Sequence, residues 1–599
     1  MSDIKLSDYI ARRLKEYYNI KHVFMVSGGG AMHLNDSLGR YIPYTANHHE
    51  QASALCAEGF ARVKQELAVV NVTTGPGGLN CLNGVFGAWT DSVPVLYISG
   101  QVKRTTMMES YPELSEYPLR QLGDQEVDIV SIVKPITKYA ITVKNPNDIK
   151  YCLDKAIYEA TNGRKGPVWI NIPIDVQASI INEDNLKDFI PEPQIKYNLK
   201  INDVIKKLKS AQRPVIIAGH GIRLSNMIQD FYCLVDKLKI PVLTTFNSFD
   251  IMPDSNEYYI GRIGTVGQRA GNFVLQNSDL LLCLGTRNNI RQVSYNWKNF
   301  GEQAYKIVVD IDEGELNKPL VIPDLKIQAD LKEFIPELLK KTSSFIKNEE
   351  WLSFCKNLKT KYSFKNHPEQ IQKKDKVNPY HFTYELTKAL NEGDLFIMAN
   401  GSSCVCPFQN AVVKKNQRYI LNSGNASMGF ALPAAIGAYY SSNKNSNIVC
   451  LEGDGSIMMN LQELQTIAYN KLPIKIFVIN NNGYSSIRQT QRNFFEGRMT
   501  ASGINSGVSV PNFYRVAKAF DIKAFKITKP DQILDIIKSV LDYDGPALCE
   551  VMTEQEYAFL PKLSSKKLDN GTMISPSLED MFPFLNREEF SQNMKYVNK

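Results

Sequence analysis

No run of about 18 uninterrupted apolar residues occurs in the 599-residue sequence, so it offers no segment fit to span a membrane as a helix. Its first residues, MSDIKLSDYI, lack the apolar stretch of a secretory signal, and the chain is expected in the cytoplasm. Zinc-type cysteine pairing is missing too. The ten cysteines are scattered, mostly inside apolar runs such as those around Cys56, Cys81, Cys152, Cys283 and Cys450. Cys404 and Cys406, one residue apart, have no partner pair, so buried free thiols in a reducing compartment are expected. A strong charge imbalance is also absent: 69 basic against 62 acidic residues leave +7 spread along the chain. That excess gives no basis for nucleic-acid binding and suits small anionic partners. With 43% hydrophobic and 22% charged residues, neither a disordered chain nor a fibrous repeat is indicated.

What is present is repetition of one pattern. A chain this long exceeds a single hydrophobic core. Short β-like runs at 68–74, 94–100 and 166–173 alternate with helix-like segments such as Glu50 to Lys64. Runs apolar on both faces predict parallel strands covered by helices. A polar stretch with Pro191 and Pro193 interrupts the pattern, which restarts at 213–221, 241–246, 279–285 and 306–312. A lysine-rich, helix-prone connector follows at about 331–376, and a third α/β region contains NIVCLEGDGS (447–456) and IKIFVINNNGYS (474–485). The expected fold class is α/β, with three consecutive doubly wound parallel-sheet domains at 1–185, 195–340 and 375–555 and a tail at 556–599.

The third region carries the most specific signal. One apolar strand runs into Gly453-Asp454-Gly455-Ser456 and another into Asn480-Asn481. Glycines at a strand end let main chain approach a phosphate, and the following helix start is rich in amide N–H groups. Mg²⁺ wants oxygen ligands, and a carboxylate, an amide oxygen and diphosphate oxygens meet that demand. Asp454 and Asn481 lie 27 positions apart (481 − 454), room for one helix and one strand between neighbouring strand ends. Either motif alone reads as an ordinary turn or loop. The pair at this interval is what carries information.

GDGS followed by NN, in LEGDGSIMMNLQELQTIAYNKLPIKIFVINNNG, resembles the diphosphate motif of thiamine-diphosphate enzymes, and the acetolactate synthase version in particular. The resemblance runs from Val23 to about Leu548. It implies thiamine diphosphate and Mg²⁺ as cofactors, with Asp454, Asn481 and the main-chain carbonyl of Gly483 as metal ligands and Gly453, Gly455 and Ser456 at the diphosphate. His49-Glu50, opening HEQASALCAEGFAR, resembles the segment carrying the activating glutamate. A carboxyl group there favours the imino tautomer of the coenzyme's aminopyrimidine, whose nitrogen can remove a reluctant proton from the thiazolium ring. Met428 resembles the apolar residue that props the coenzyme into its bent shape. Ala426 stands where the family commonly has glycine, Gln125 matches a glutamine facing the reaction centre beside the divergent Asp124, and Gly75 lies in the matching block TGPGGLN (74–80). In the family the pyrimidine lies on the first domain of one subunit and the diphosphate on the third domain of another, so a homodimer is the minimum unit implied, with a homotetramer left open.

The implied chemistry is decarboxylation of a 2-oxo acid such as pyruvate, followed by transfer of the activated aldehyde to a carbonyl acceptor. The sequence departs from its relatives at that acceptor. Their pocket-shaping tryptophan aligns with Thr490, which admits a bulkier or more hydroxylated acceptor such as a keto sugar, and Arg488, Gln489 and Arg492 lie near, where guanidinium groups suit recognition of a phosphate or carboxylate. GRIGTVGQRAGN (261–272) and GTRNN (285–289), with Arg287, resemble the region that holds a non-redox FAD, while 288–297 departs from it, so FAD stays open. The competing readings are a 2-hydroxyacyl-CoA lyase or oxalyl-CoA decarboxylase, a pyruvate oxidase, and a non-catalytic paralogue. Glu50, Asp454 and Asn481 together argue against the last, since a scaffold needs none of them.

Overall fold

In the computed structural model, which describes residues 3–115, 119–193, 195–342, 348–366, 375–443, 445–567, 570 and 573–597, three six-stranded sheets follow one another along the chain. The first contains β1 (Val23–Met25), β2 (Tyr44–Ala46), β3 (Ala68–Val72), β4 (Val95–Gln101), β5 (Tyr139–Thr142) and β6 (Val168–Pro173), in the order β2-β1-β3-β4-β6-β5. The second contains β7 (Pro214–Ala218), β8 (Val242–Thr244), β9 (Tyr259–Arg262), β10 (Leu280–Leu284), β11 (Tyr305–Asp310) and β12 (Leu325–Gln328), in the order β9-β8-β7-β10-β11-β12. The third contains β13 (Leu395–Met398), β14 (Arg418–Ile420), β15 (Ile448–Gly453), β16 (Ile474–Asn480), β17 (Lys523–Ile527) and β18 (Ala547–Met552), in the order β14-β13-β15-β16-β18-β17.

Every pairing in these sheets is parallel. The apolar runs explain this: β3, β4, β6, β7 and β10 are buried at every position, so both faces need helical cover, which a crossover connection supplies. The first and third sheets share one strand order. The middle sheet has the 3-2-1-4-5-6 order of dinucleotide-binding folds.

The first and third domains share a core. Helix Glu50–Lys64 lies against helix Ala431–Ser441, and Ala54, Leu55, Ala57 and Phe60 pack with Ala431, Leu432, Ala435 and Ile436. Two glycines permit the approach. A Cβ on Gly437 would stand 1.8 Å from the Cys56 carbonyl oxygen, and one on Gly59 would stand 2.1 Å from that of Ala434.

The lysine-rich stretch after the middle sheet is more than a connector. Its helices Leu331–Lys341 and Glu349–Lys361 bury Phe334, Ile335, Leu338, Trp351, Leu352, Cys355 and Leu358 against that sheet's layers. The rest of the expected connector includes 343–347 and 367–374, which lie outside the described residues. The tail divides in two. Tyr557 and Phe559 stay with the third domain, while Leu578, Leu585, Phe590, Met594 and Tyr596 pack onto the middle domain. Side chains of the helix Arg269–Asn277 hold that second part: Arg269 donates to the carbonyls of Met581 and Pro583, Asn272 to Leu578, and Asn277 to Asn593. Nine cysteines are buried and Cys233 is exposed, and all ten are free thiols. Among the described residues no helix is long and apolar enough to cross a membrane.

Candidate active site

Ligands of open parallel sheets bind beyond the carboxyl ends of the strands, where the strand order reverses. In the third sheet the reversal lies between β13 and β15, and the loops after β13, β15 and β16 meet there. Asp454, just beyond β15, is buried, and its carboxylate gathers the neighbouring loops. Oδ2 accepts the N–H of Asn481 at 3.0 Å and that of Gly483 at 2.9 Å, and Oδ1 accepts Gly455 N–H at 2.7 Å. Burial raises its pKa to about 6, against those three donors. A cation bound there would reverse the shift. The 27-residue spacing therefore brings two strand ends together.

Two features suit this site to an oxyanion with its metal. Ser403 Oγ, at the start of helix Ser402–Asn410, is completely buried and has no hydrogen-bond partner among the described residues. Gly453 has an ordinary backbone conformation, and a Cβ on it would meet only Ser403 Oγ at 3.7 Å and Ser456 Cβ at 4.0 Å. Protein packing does not demand a glycine there, whereas close approach of a ligand would. Gly455 differs, because its missing Cβ makes room for the Tyr484 ring, which would lie 2.2 Å away. Among the described residues no cluster of three or more His, Cys, Asp or Glu is placed to hold a metal. An ion here would therefore depend on one carboxylate, amide and main-chain oxygens, and oxygens brought by the ligand.

Ser456 Oγ accepts Gly429 N–H at 2.9 Å, and Asn460 donates to the Gly429 carbonyl at 2.9 Å, tying the loop of Met428 to the Asp454 segment. Ala426 in that loop adopts φ 56°, the left-handed region where glycine is at ease, which gives a physical reason for the glycine expected there. Asn83 of the first domain donates to Ser427 Oγ at 2.6 Å and accepts from Asn425 at 2.8 Å.

Arg488 has a use other than the expected recognition of substrate anions. Its buried guanidinium donates to the carbonyls of Asn481, Asn482, Ser502 and Gln555 and to Asn481 Oδ1, so it braces the loop that carries Asn481. Thr490 is exposed on the helix Ser485–Phe494, its hydroxyl returned to the Ser486 carbonyl at 3.1 Å. Arg492 pairs with Glu556 of the tail.

The first domain presents a second half-site. His49 caps the helix that Glu50 begins, its Nδ1 accepting Gln51 N–H at 3.1 Å. The Glu50 carboxylate accepts from Asn80 at 2.9 Å, and a Cβ on Gly77 would lie 3.6 Å from its other oxygen. Gly75, at φ 57°, passes so close to Gln125 that a Cβ would stand 2.3 Å from the Gln125 carbonyl oxygen. Gln125 is exposed, itself at φ 63°. Glu50, Gly75 and Gln125 thus gather in one place. Within the single chain, none of the hydrogen bonds among the described residues joins Glu50 to Asp454.

A cavity of about 300 Å³ opens at the reversal point of the middle sheet, between β7 and β10. Gly285, Thr286 and Arg287 line it, as do His220 and Asp310. Burial raises the Asp310 carboxyl to about 6 and, with nearby arginines, holds His220 neutral. The expected 261–272 run serves elsewhere. Arg262, fully buried, donates to the carbonyls of Pro407, Phe408 and Ala411, and Arg269 and Asn272 hold the tail, so this run ties domains together.

Ser402 and Ser403 are not expected from the sequence, whereas Tyr557 is one of the tail aromatics (with Phe559 and Phe584) whose position lets the tail close over the site. The Tyr557 hydroxyl reaches both Ser402 Oγ and Ser485 Oγ, and burial raises its pKa. Asn400-Gly401-Ser402-Ser403, directly after an apolar strand, was the available signal for the serines. No local pattern placed the tyrosine.

Comparison with known proteins agrees with this arrangement. Residues 4–131, 201–338 and 399–551 match the N-terminal thiamine pyrophosphate (TPP) binding domain, the central domain and the C-terminal TPP binding domain of thiamine pyrophosphate enzymes. The chain is 31% identical over 564 residues to the acetolactate synthase large subunit of Lactococcus lactis, covering 93% of this chain and 94% of that one. It is 32% identical over 588 residues to the acetolactate synthase large subunit of Pyropia yezoensis, covering 93% of each. With the Escherichia coli acetolactate synthase isozyme 2 large subunit the identity is 29% over 542 residues, 90% of this chain and 93% of that one. Three matched domains in the expected order and near-full-length similarity place the chain in the thiamine pyrophosphate enzyme family, in its acetolactate synthase large-subunit branch.

Proposed function

We propose that the protein is a cytoplasmic thiamine-diphosphate and Mg²⁺ dependent carboligase that decarboxylates a 2-oxo acid, pyruvate foremost, and transfers the activated aldehyde to a second carbonyl compound. The observation that carries this reading is the strand-end site: a buried carboxylate among three N–H groups, beside an orphaned serine hydroxyl and a glycine with open space where a Cβ would be. Its relatives are acetolactate synthases by name, which supports carbon–carbon bond formation over hydrolysis or oxidation.

Asp454, Asn481 and the Gly483 carbonyl would hold Mg²⁺, and Gly453, Gly455 and Ser456 would face the diphosphate. When bound, the coenzyme would supply a carbon nucleophile and an electron sink for the pair left on the substrate carbon as CO₂ departs. The remaining roles belong to the chain. Glu50 holds a proton at its carboxyl oxygen against the aminopyrimidine, with His49 fixing the helix start. Met428 would prop the bound coenzyme into its bent shape. Gln125, brought to Gly75 by the tight turn there, orients the carbonyl under attack. Arg488 keeps Asn481 in place.

Glu50 and Asp454 serve one coenzyme if the two half-sites come from different protomers, which makes a homodimer the working unit and a homotetramer a pair of such dimers. Apolar side chains adjoining the half-sites in sequence, Leu79, Met458 and Met459, stand exposed on the single chain, as such a contact requires. The acceptor is a keto sugar, because a threonine at 490 leaves open the wall that an aromatic residue closes in relatives. The middle-domain cavity suits a nucleotide, and a flavin band in the visible spectrum of purified protein would identify FAD as its occupant, whereas its absence would leave the pocket to another ligand.

Calorimetry with thiamine diphosphate and Mg²⁺ tests the core of this reading. Asp454→Ala should abolish binding, whereas Glu50→Gln should keep it and lose turnover by at least about 100-fold. The keto-sugar assignment fails if pyruvate alone yields 2-acetolactate at an ordinary enzymatic rate.

A further inference from the structure

The segment that delivers Glu50 is held from outside its own domain. Glu463, which opens the helix Glu463–Tyr469 of the third domain, is fully buried. Its Oε1 accepts the main-chain N–H of His48 at 2.9 Å. Its Oε2 accepts from Asn47 Nδ2 at 2.8 Å and from Thr466 Oγ1 at 2.7 Å. Asn47 passes the grip on, since its Oδ1 accepts from Ser53 Oγ at 3.0 Å in the helix that Glu50 begins.

Every group on this carboxylate is a neutral donor, and among the described residues it has no ion-pair partner. Burying a carboxylate without a cation is costly, and three donors on two oxygens are what make it tolerable. Both oxygens are engaged as acceptors, so an amide of the same size would turn an N–H₂ toward a donor at one of them.

Glu463 is also tied to the diphosphate side of its chain. Nine positions separate it from Asp454 (463 − 454). Ser456 and Asn460, inside that interval, clamp Gly429 next to Met428. We propose that Glu463 is a positioning residue: it sets the placement of His49 and Glu50 by gripping the two residues before them. This rests on the shared-site reading above, under which Glu50 acts on the coenzyme held by the partner's third domain. Glu463 then links the diphosphate site of its own chain to the activating carboxylate of the other active site.

Two measurements test this. In apoprotein, amide hydrogen exchange of 45–52 should quicken about tenfold or more in Glu463→Gln, while 448–453 keeps its protection; unchanged exchange at 45–52 overturns the grip. The second uses doubly tagged mixed dimers with one complete site, an Asp454→Ala protomer supplying Glu50 and a Glu50→Gln partner supplying Asp454. Glu463→Gln on the protomer with the working Glu50 should lower kcat about tenfold with KM for the 2-oxo acid unchanged. The same change on the partner, whose own Glu50 is already disabled, should add no comparable loss. Loss from the partner's copy alone, from both copies equally, or from neither overturns the link. If the mixed dimer before any change at Glu463 is as inactive as its parents, the shared-site reading is what fails, and amide exchange alone decides the positioning role.

Discussion

A single histidine illustrates how burial sets the chemistry of one side chain. His22 stacks on Tyr440 of the third domain, ring centroids 4.0 Å apart, and hydrogen-bonds Thr45 Oγ1 at 2.8 Å. Burial lowers its pKa to about 4. The folded value therefore lies below that of an unfolded histidine, about 6.5, and the unfolded chain binds more protons between the two. Stability should fall as pH drops from about 6.5 to about 4, by of order 2 kcal/mol from this residue. His22→Phe keeps the stacking ring and has no proton to gain, so its thermal stability, followed from pH 7 to pH 4, should decline less steeply than that of the parent. Equal slopes would mean that His22 takes up its proton at the same pH in the folded protein as in the unfolded chain.

At the scale of elements, the first and third domains depend on one helix pair whose spacing is set by two missing side chains. The atoms opposing Gly59 and Gly437 are main-chain carbonyl oxygens, which no rotamer change can move aside. Gly437→Val should therefore destabilise by about 3 kcal/mol or more, read as a lower denaturant midpoint. It should also disturb the half-site of Glu50, because that residue begins the helix being pushed away. Much of this scale was legible beforehand. The helix Glu50–Lys64 and the strands at β3, β4, β6, β7, β10, β15 and β16 follow from apolar runs whose length and flanking glycines or prolines distinguish them. The connector was not legible as packed structure. Its lysines occupy one face of amphipathic helices, and composition conceals the buried stripe of Phe334, Ile335 and Leu338.

For the whole molecule, the tail acts as a strap on the middle domain. Leu578, Phe590 and Met594 cover the layer that contains Phe273 and Trp351, and three side chains of one helix donate to tail carbonyls. Truncation after residue 576 should expose that layer and lower the apparent Tm by several degrees, with proteolysis beginning in the middle domain. An unchanged melting curve would show that the strap contributes nothing to stability.

The order of residues alone determined that three parallel-sheet domains follow one another and that the diphosphate motif stands at two strand ends of the third. Those features arise from local period, turn chemistry and the gap between Asp454 and Asn481, all written along the chain. Folding decided the rest, because it depends on groups distant in sequence. Only the assembled chain brings Gly75 to Gln125, Ser403 to Gly453, Tyr557 of the tail to Ser402, and Glu463 to Asn47. Only it turns Arg488 inward, since an arginine surrounded by main-chain carbonyls is indistinguishable in sequence from one reaching for a substrate.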